Sequence, residues 1–191
     1  MVRFSTYHAS SGECFPEILR YSFMTSPSRE QLFAVLEQVK DPEVPAVSIV
    51  ELGIVREVVV RESPAGTEIQ VSITPTYSGC PAMGVIEQEV RTALNAAGYS
   101  QVVVQMVFNP PWTTDWITAE GRAKLKEYGI APPSVVREQP LIQLRKRTEQ
   151  VPCPFCDATN TKLTSQFSGT ACKALYFCDG CHQPFEYFKP F

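Results

Sequence analysis

Four of the seven cysteines stand in two pairs, Cys153-x2-Cys156 and Cys178-x2-Cys181, with 21 residues between the pairs. A two-residue spacer lets both thiolates of one turn face a single ion, and two such turns close a tetrahedral four-sulfur site. The spacing predicts that Cys153, Cys156, Cys178 and Cys181 hold a structural zinc with no open coordination position for catalysis. Redox use of a Cys-x-x-Cys pair would require a thioredoxin-like unit around it, and that unit is missing from the pattern. Cys172, six residues before Cys178, reads as a small buried hydrophobe on a strand. His182, directly after Cys181, reads as pointing outward.

Cys80 stands apart from these pairs, in Ile73-Thr-Pro-Thr-Tyr-Ser-Gly-Cys-Pro-Ala-Met83. Between Gly79 and Pro81 it is expected to be the N-cap of a helix, with proline at the first position where its missing N–H costs nothing. A helix N-terminus lowers a thiol pKa and favours thiolate, the form that binds metal or attacks carbon. The residues alone leave three readings open: an inert buried thiol, a nucleophile or a metal ligand. A nucleophile needs a base, and both histidines, His8 and His182, lie outside the domain that carries Cys80. A single thiolate does not hold an iron-sulfur cluster, which usually takes four cysteine ligands. The metal reading therefore needs co-ligands: a second Cys80 across a homodimer, Asp41 or Glu43, or groups from a client protein.

The elements that must position these residues are legible in the periodicity. Ser28 with Gln31 fits a capping box, and Leu32, Val35, Leu36 and Val39 recur at helical spacing until Asp41-Pro42. A carboxylate at a helix C-terminus opposes the macrodipole, so Asp41 reads as a turn-forming residue. Two β-branched runs over 54–61 and 67–74 flank Ser63-Pro-Ala-Gly66 as a hairpin. Met83, Ile86, Val90, Leu94 and Ala97 trace a helical stripe closed by Gly98, and a strand over 102–108 must return parallel to the second. Then follow a rigid aromatic loop, a short helix over 119–128 and Gly129.

The expected fold class is α+β: a two-layer α-β-β-α-β domain with a three-stranded mixed sheet over 26–130, followed by a small zinc β-ribbon over 151–191. A linker over 131–150 separates them, and the ribbon strands are expected at 161–167, 173–177 and 184–188. Residues 1–25 read as a loose extension in which Cys14 is an incidental thiol and Met24 an alternative start.

A chain of 191 residues with 44% hydrophobic and 19% charged residues has room for one domain and a small module, and its balance is globular. Net charge is −3. Residues 24–131 carry 13 acids and 8 bases, and residues 132–191 carry 5 acids and 7 bases. With one compact basic cluster, Arg145-Lys146-Arg147, the second half is a poor footprint for nucleic acid, and the asymmetry points to a protein partner. No apolar run approaches the roughly 18 residues of a membrane span, and the N-terminus lacks the apolar core of a signal peptide. The expected location is the cytoplasm, where reduced thiols favour metal sites over disulfides. The absence of a Glu-x-x-His pattern, a Gly-rich dinucleotide fingerprint and a P-loop argues against an independent oxidoreductase.

Residues 28–108, with Asp41-Pro-Glu-Val-Pro45, Leu52-Gly-Ile-Val55 and Thr74-Pro-Thr-Tyr-Ser-Gly-Cys-Pro81, resemble the SufT-type iron-sulfur cluster assembly domain. With Pro111-Trp-Thr-Thr-Asp-Trp116, Lys126-Glu-Tyr-Gly-Ile130 and Thr170-Ala-Cys-Lys-Ala-Leu175 added, residues 28–191 are similar to the D subunits of bacterial phenylacetyl-CoA ring epoxidase (phenylacetate-CoA oxygenase) systems. The resemblance implies an accessory role in aerobic phenylacetate catabolism. In such systems a diiron subunit activates oxygen, a flavin and iron-sulfur reductase delivers electrons, and the D-like subunit helps to mature their metal centres. It implies those oxygenase and reductase subunits as partners, and no independent catalytic activity. It also implies Cys80 as a transient ligand for iron or an iron-sulfur cluster, with Asp41 as a further candidate. The first 23 residues have no counterpart in the resemblance. Two other readings stand beside it: a thiol enzyme using Cys80 as nucleophile, for example on a thioester, and a docking module built on the zinc ribbon.

Overall fold

The computed structural model describes residues 26–64, 66–133 and 150–190. The expected extension over 1–25, with His8, Cys14 and Met24, lies outside the described residues, as does most of the expected linker with its basic cluster at 145–147.

Helix α1 (Arg29–Leu36) opens with the capping box: Ser28 Oγ accepts from the Gln31 N–H, and the Gln31 side chain accepts from the Ser28 N–H. Its end differs from expectation. The helix stops at Leu36 because the Gln38 and Val39 N–H groups bond to Val35 and Leu36, three residues back. Lys40 then pairs with Ser48 in an isolated antiparallel bridge. Asp41 therefore lies in a loop and not at a helix terminus, so the macrodipole has no bearing on it.

Strands β1 (Val55–Ser63) and β2 (Gly66–Ile73) form the expected antiparallel hairpin. Helix α2 (Met83–Ala96) carries the chain over the sheet to β3 (Gln101–Met106), which pairs parallel to β2, giving the order β1-β2-β3. Met83, Ile86, Val90 and Leu94 from α2 are buried together with Ile69, Val71 and Ile73 from β2. Each such side chain contributes roughly 1.5–3 kcal/mol relative to exposure.

The loop over 48–54 ties the remaining elements to this core. Ser48 and Glu51 cap each other reciprocally: Ser48 N–H donates to Glu51 Oε2 at 2.8 Å, and Glu51 N–H donates to Ser48 Oγ at 3.0 Å. Gly53 has φ +68°, and a Cβ there would sit 2.6 Å from Trp116 Cβ, so only glycine fits. Trp112 Nε1–H donates to the Leu52 carbonyl at 2.9 Å. Helix α3 (Ala119–Glu127) follows, capped by Thr118, and its Lys124 pairs with Glu51.

The ribbon contains β5 (Thr161–Ser165), β6 (Lys173–Cys178) and β7 (Pro184–Phe188), all antiparallel. Ile130–Ala131 forms a short β4 parallel to β7, so the sheet runs β4-β7-β6-β5. Ala131, expected to begin the linker, belongs to this sheet. Side chains alternate along β7: Phe185 and Tyr187 pack with Tyr176 in a small ribbon core, whereas Phe188 joins the main core beside Trp112, ring centroids 6.1 Å apart. Cys172 is buried in that main core as well. The two units thus meet across a buried seam.

Candidate functional site

The two Cys-x-x-Cys turns have the same backbone solution. In each, the residue after the second cysteine takes a left-handed conformation, Asp157 with φ 57° and His182 with φ 59°. Its N–H donates to the carbonyl of the first cysteine, Asp157 to Cys153 and His182 to Cys178, at 2.9 Å in both cases. The turns thereby face each other across the ribbon. Cys153 Sγ lies 3.7 Å from Cys181 Sγ, Cys156 Sγ lies 3.6 Å from Cys178 Sγ, and all four sulfurs are within 4.8 Å of one another. A tetrahedral ion with bonds of about 2.3 Å to sulfur requires sulfurs about 3.8 Å apart, so the donor set fits zinc. The N–H groups of Cys181 and Gly180 point at Cys178 Sγ and draw that thiol down to about 7. His182 is exposed, as expected.

Cys80 sits elsewhere, among different partners. It precedes the N-cap: helix α2 begins at Met83 after Ala82, which makes no side-chain cap, and Cys80 through Ala82 form a turn closed by the Met83 N–H on the Cys80 carbonyl. The expected N-cap placement is corrected by two residues. The expected fall in pKa is corrected too. Burial pushes the Cys80 thiol up, and the Glu43 and Asp41 carboxylates push it further; the Ala82 N–H and the Tyr77 hydroxyl donate to the sulfur but do not outweigh them. Tyr77 is itself pushed up to about 12, first by burial and then by the Cys80 and Glu43 charges.

Asp41 is 7% exposed, and its Oδ1 accepts the Glu43 N–H at 2.9 Å and the Val44 N–H at 2.8 Å. Burial pushes its carboxyl up despite these donors. The carboxylate therefore shapes the loop that presents Glu43, which is the turn-forming role read from the sequence.

Sequence reasoning missed what faces this loop from the ribbon. Cys172 Sγ lies 3.5 Å from Glu43 Oε2 and 3.1 Å from Thr170 Oγ1. Burial and then Glu43 push its thiol to about 11, with Thr170 opposing. Cys172 also acts on Tyr77, the hydroxyl that donates to Cys80. The structure thus gathers Cys80, Asp41, Glu43, Tyr77 and Cys172 at the seam, while the four knuckle cysteines form a separate set. The odd thiol in a ribbon needing four was the available signal for Cys172. No helix among the described residues is long and apolar enough to cross a membrane.

Two family models divide the chain as the fold does. The one described as "Iron-sulfur cluster assembly protein" matches residues 29–105, and the one described as "PaaD zinc beta ribbon domain" matches residues 137–189. A protein of Escherichia coli (strain K12), provisionally named as the D subunit of a 1,2-phenylacetyl-CoA epoxidase, is 40% identical over 170 residues, covering 89% of this chain and 98% of its own. The chain belongs to this family of epoxidase D subunits. The ribbon match includes Cys172 as well as the four knuckle cysteines. An Fe-S protein maturation auxiliary factor of Bacillus subtilis (strain 168) is 38% identical over 93 residues, 48% of this chain and 87% of its own. The crystal structure of a domain of unknown function from Bacillus anthracis is 34% identical, covers 50% of this chain and 89% of its own, and superposes with a TM-score of 0.45.

Proposed function

We propose that this protein is an accessory factor that assists the assembly of iron or iron-sulfur centres in the oxygenase and reductase subunits of a phenylacetyl-CoA epoxidase system, with Cys80 as a transient ligand for the metal in transit. The observation that carries this reading is the company Cys80 keeps. Its half-buried thiol is held protonated first by burial and then by the Glu43 and Asp41 carboxylates, until a cation arrives. An arriving divalent ion reverses the balance, because metal binding expels the thiol proton and meets carboxylates already in place. The same surroundings disfavour a nucleophile, which needs an adjacent base or cation to generate thiolate. Cys153, Cys156, Cys178 and Cys181 serve as ligands of a structural zinc whose binding contributes to the folding of the ribbon.

Similarity to the maturation factor of Bacillus subtilis over 93 residues, and the iron-sulfur cluster assembly match over residues 29–105, which include Cys80, support the reading. The test is co-expression with the oxygenase and reductase subunits, followed by iron analysis of those partners purified without oxygen. Cys80→Ser is expected to lower partner iron several-fold while leaving one zinc per chain of the accessory factor. Normal partner iron with Cys80→Ser would remove Cys80 from the function.

A further inference from the structure

The three-stranded sheet has two outer strands, and the sequence treats them in opposite ways. Strand β1 is guarded: it is bulged between Val55 and Glu57, carries Arg56, Glu57, Arg61 and Glu62, and holds the Arg56 guanidinium 3.2 Å from the centroid of the Trp116 ring. Charges and bulges of this kind keep an edge from pairing with another chain. Strand β3 has neither. Residues 101–108 read Gln-Val-Val-Val-Gln-Met-Val-Phe, without a charge or a proline, and β3 follows β2 from Gln101 to Met106 with no shift in register. Val103, Met106 and Phe108 are exposed, Phe108 by 60%. The backbone fixes which groups face outward. Val107 donates its N–H inward to the Ile73 carbonyl, so the odd-numbered residues bond to β2, and Val102, Val104 and Met106 turn their N–H and C=O groups away from it. The Val102 carbonyl accepts from the Arg91 guanidinium at 2.6 Å. Among the described residues, Val104 and Met106 have no backbone partner on that side.

We propose that the outer edge of β3 docks a second copy of this chain, the two strands pairing antiparallel about Gln105 into a continuous six-stranded sheet. In that register Val104 of each copy exchanges both backbone bonds with Met106 of the other, which satisfies the open groups of both strands. Val103 meets Val107 and Val102 meets Phe108, so each exposed apolar side chain finds an apolar one opposite. Gln105 meets Gln105; its Oε1 already accepts from Gln70 at 2.8 Å, which leaves its NH2 group to donate across the pair. An uncharged edge is complementary to itself, because no like charges are brought together. Two such edges related by a twofold axis cover each other, and the guarded β1 edges that remain stop growth at two copies. The contact spans residues 102–108 of each copy, well below the roughly 20–30 residues a side of a standard interface, so the dimer is a weak one, with a dissociation constant of about 10–100 μM.

The test is sedimentation of the full zinc-loaded chain across a concentration series that brackets this constant. The unaltered protein is expected to pass from monomer to dimer. Gln105→Lys sets two ammonium groups opposite each other at an exposed position and should weaken the dimer by at least about 5-fold. Val104→Pro removes an outward N–H without touching the ladder to β2 and should abolish the dimer. Circular dichroism and one zinc per chain certify that each variant is folded. Gln105→Cys should cross-link to itself under mild oxidation, because residues directly opposite in a non-hydrogen-bonded pair lie about 4.5 Å apart at Cα, within disulfide reach. Glu57→Cys on β1 should not. The absence of a dimer, growth beyond two copies, a dimer unmoved by Gln105→Lys, or cross-linking of Glu57→Cys as ready as that of Gln105→Cys would each overturn the proposal. A monomer whose binding to the oxygenase or reductase subunits is weakened by Gln105→Lys would overturn it as well and assign the edge to those partners.

Discussion

Phe188→Ala is the substitution that measures how firmly the ribbon is joined to the assembly domain. Phe188 is 1% exposed and lies in the main core, next to Trp112, whose indole N–H is anchored on Leu52. Truncating a buried phenylalanine costs about 3–5 kcal/mol from lost burial plus the cavity left behind. In a chain of this size each kcal/mol moves the melting temperature by about 2–4 °C, so a fall of roughly 6–20 °C is expected. The assays are thermal and urea unfolding of the zinc-loaded chain, followed by tryptophan fluorescence, to which Trp112 and Trp116 both contribute, and by circular dichroism. Phe188→Leu, which keeps most of the volume, should lose less than about 1.5 kcal/mol. Because Lys189 holds the Cys172 backbone, Phe188→Ala should also loosen that thiol from Glu43. A loss below about 1 kcal/mol, or two unfolding transitions whose domain-core midpoint ignores the substitution, would refute the shared core.

Two further outcomes follow from the loop over 48–54. Gly53→Ala forces a left-handed alanine whose Cβ would stand 2.6 Å from Trp116 Cβ and 2.7 Å from its carbonyl oxygen; the combined strain and overpacking predict a loss of about 2–5 kcal/mol in urea unfolding. Glu51→Gln tests pH dependence: burial raises the Glu51 pKa, but Lys124 and the Ser48 donors outweigh it and hold the carboxyl below its ordinary 4.5. A depressed folded value means stability present above pH 4.5 and lost as the pH falls through the folded value. The wild-type advantage over Glu51→Gln, about 1–2 kcal/mol with Lys124 partly solvated, should be constant from pH 6 to 8 and vanish in acid; an advantage independent of pH down to 3 would exclude the ion pair as its source.

Local patterning carried most of the first unit. The capping box, the hairpin, the α2 stripe and the parallel return of β3 are set by residues within a few positions of one another, which is where periodicity and turn chemistry are informative. The end of α1 was not legible, because the apolar spacing continues to Val39 while the Gln38 and Val39 N–H groups already turn to acceptors three residues back. Strand β4 was not legible either: two residues carry no period, and Ile130–Ala131 become a strand only because β7 offers an edge. The knuckle pairs were legible through spacing alone. Cys172 was not, since the carboxylate that gives it meaning lies 129 residues away in sequence.

Cys80 shows why such distant contacts decide chemistry here. Judged by its neighbours in sequence, it approaches a helix N-terminus and should ionise readily; the Ala82 N–H donates to its sulfur in that sense. Yet burial, Glu43 and Asp41 act in the opposite direction and prevail. A thiol tuned by its helix alone would be a nucleophile in waiting. A thiol held protonated by burial and by the Glu43 and Asp41 carboxylates gives up its proton when a cation replaces it. Fusion of the ribbon thus does more than add a stable module, because it brings Cys172 into the main core, 3.5 Å from Glu43, one of the carboxylates that act on Cys80.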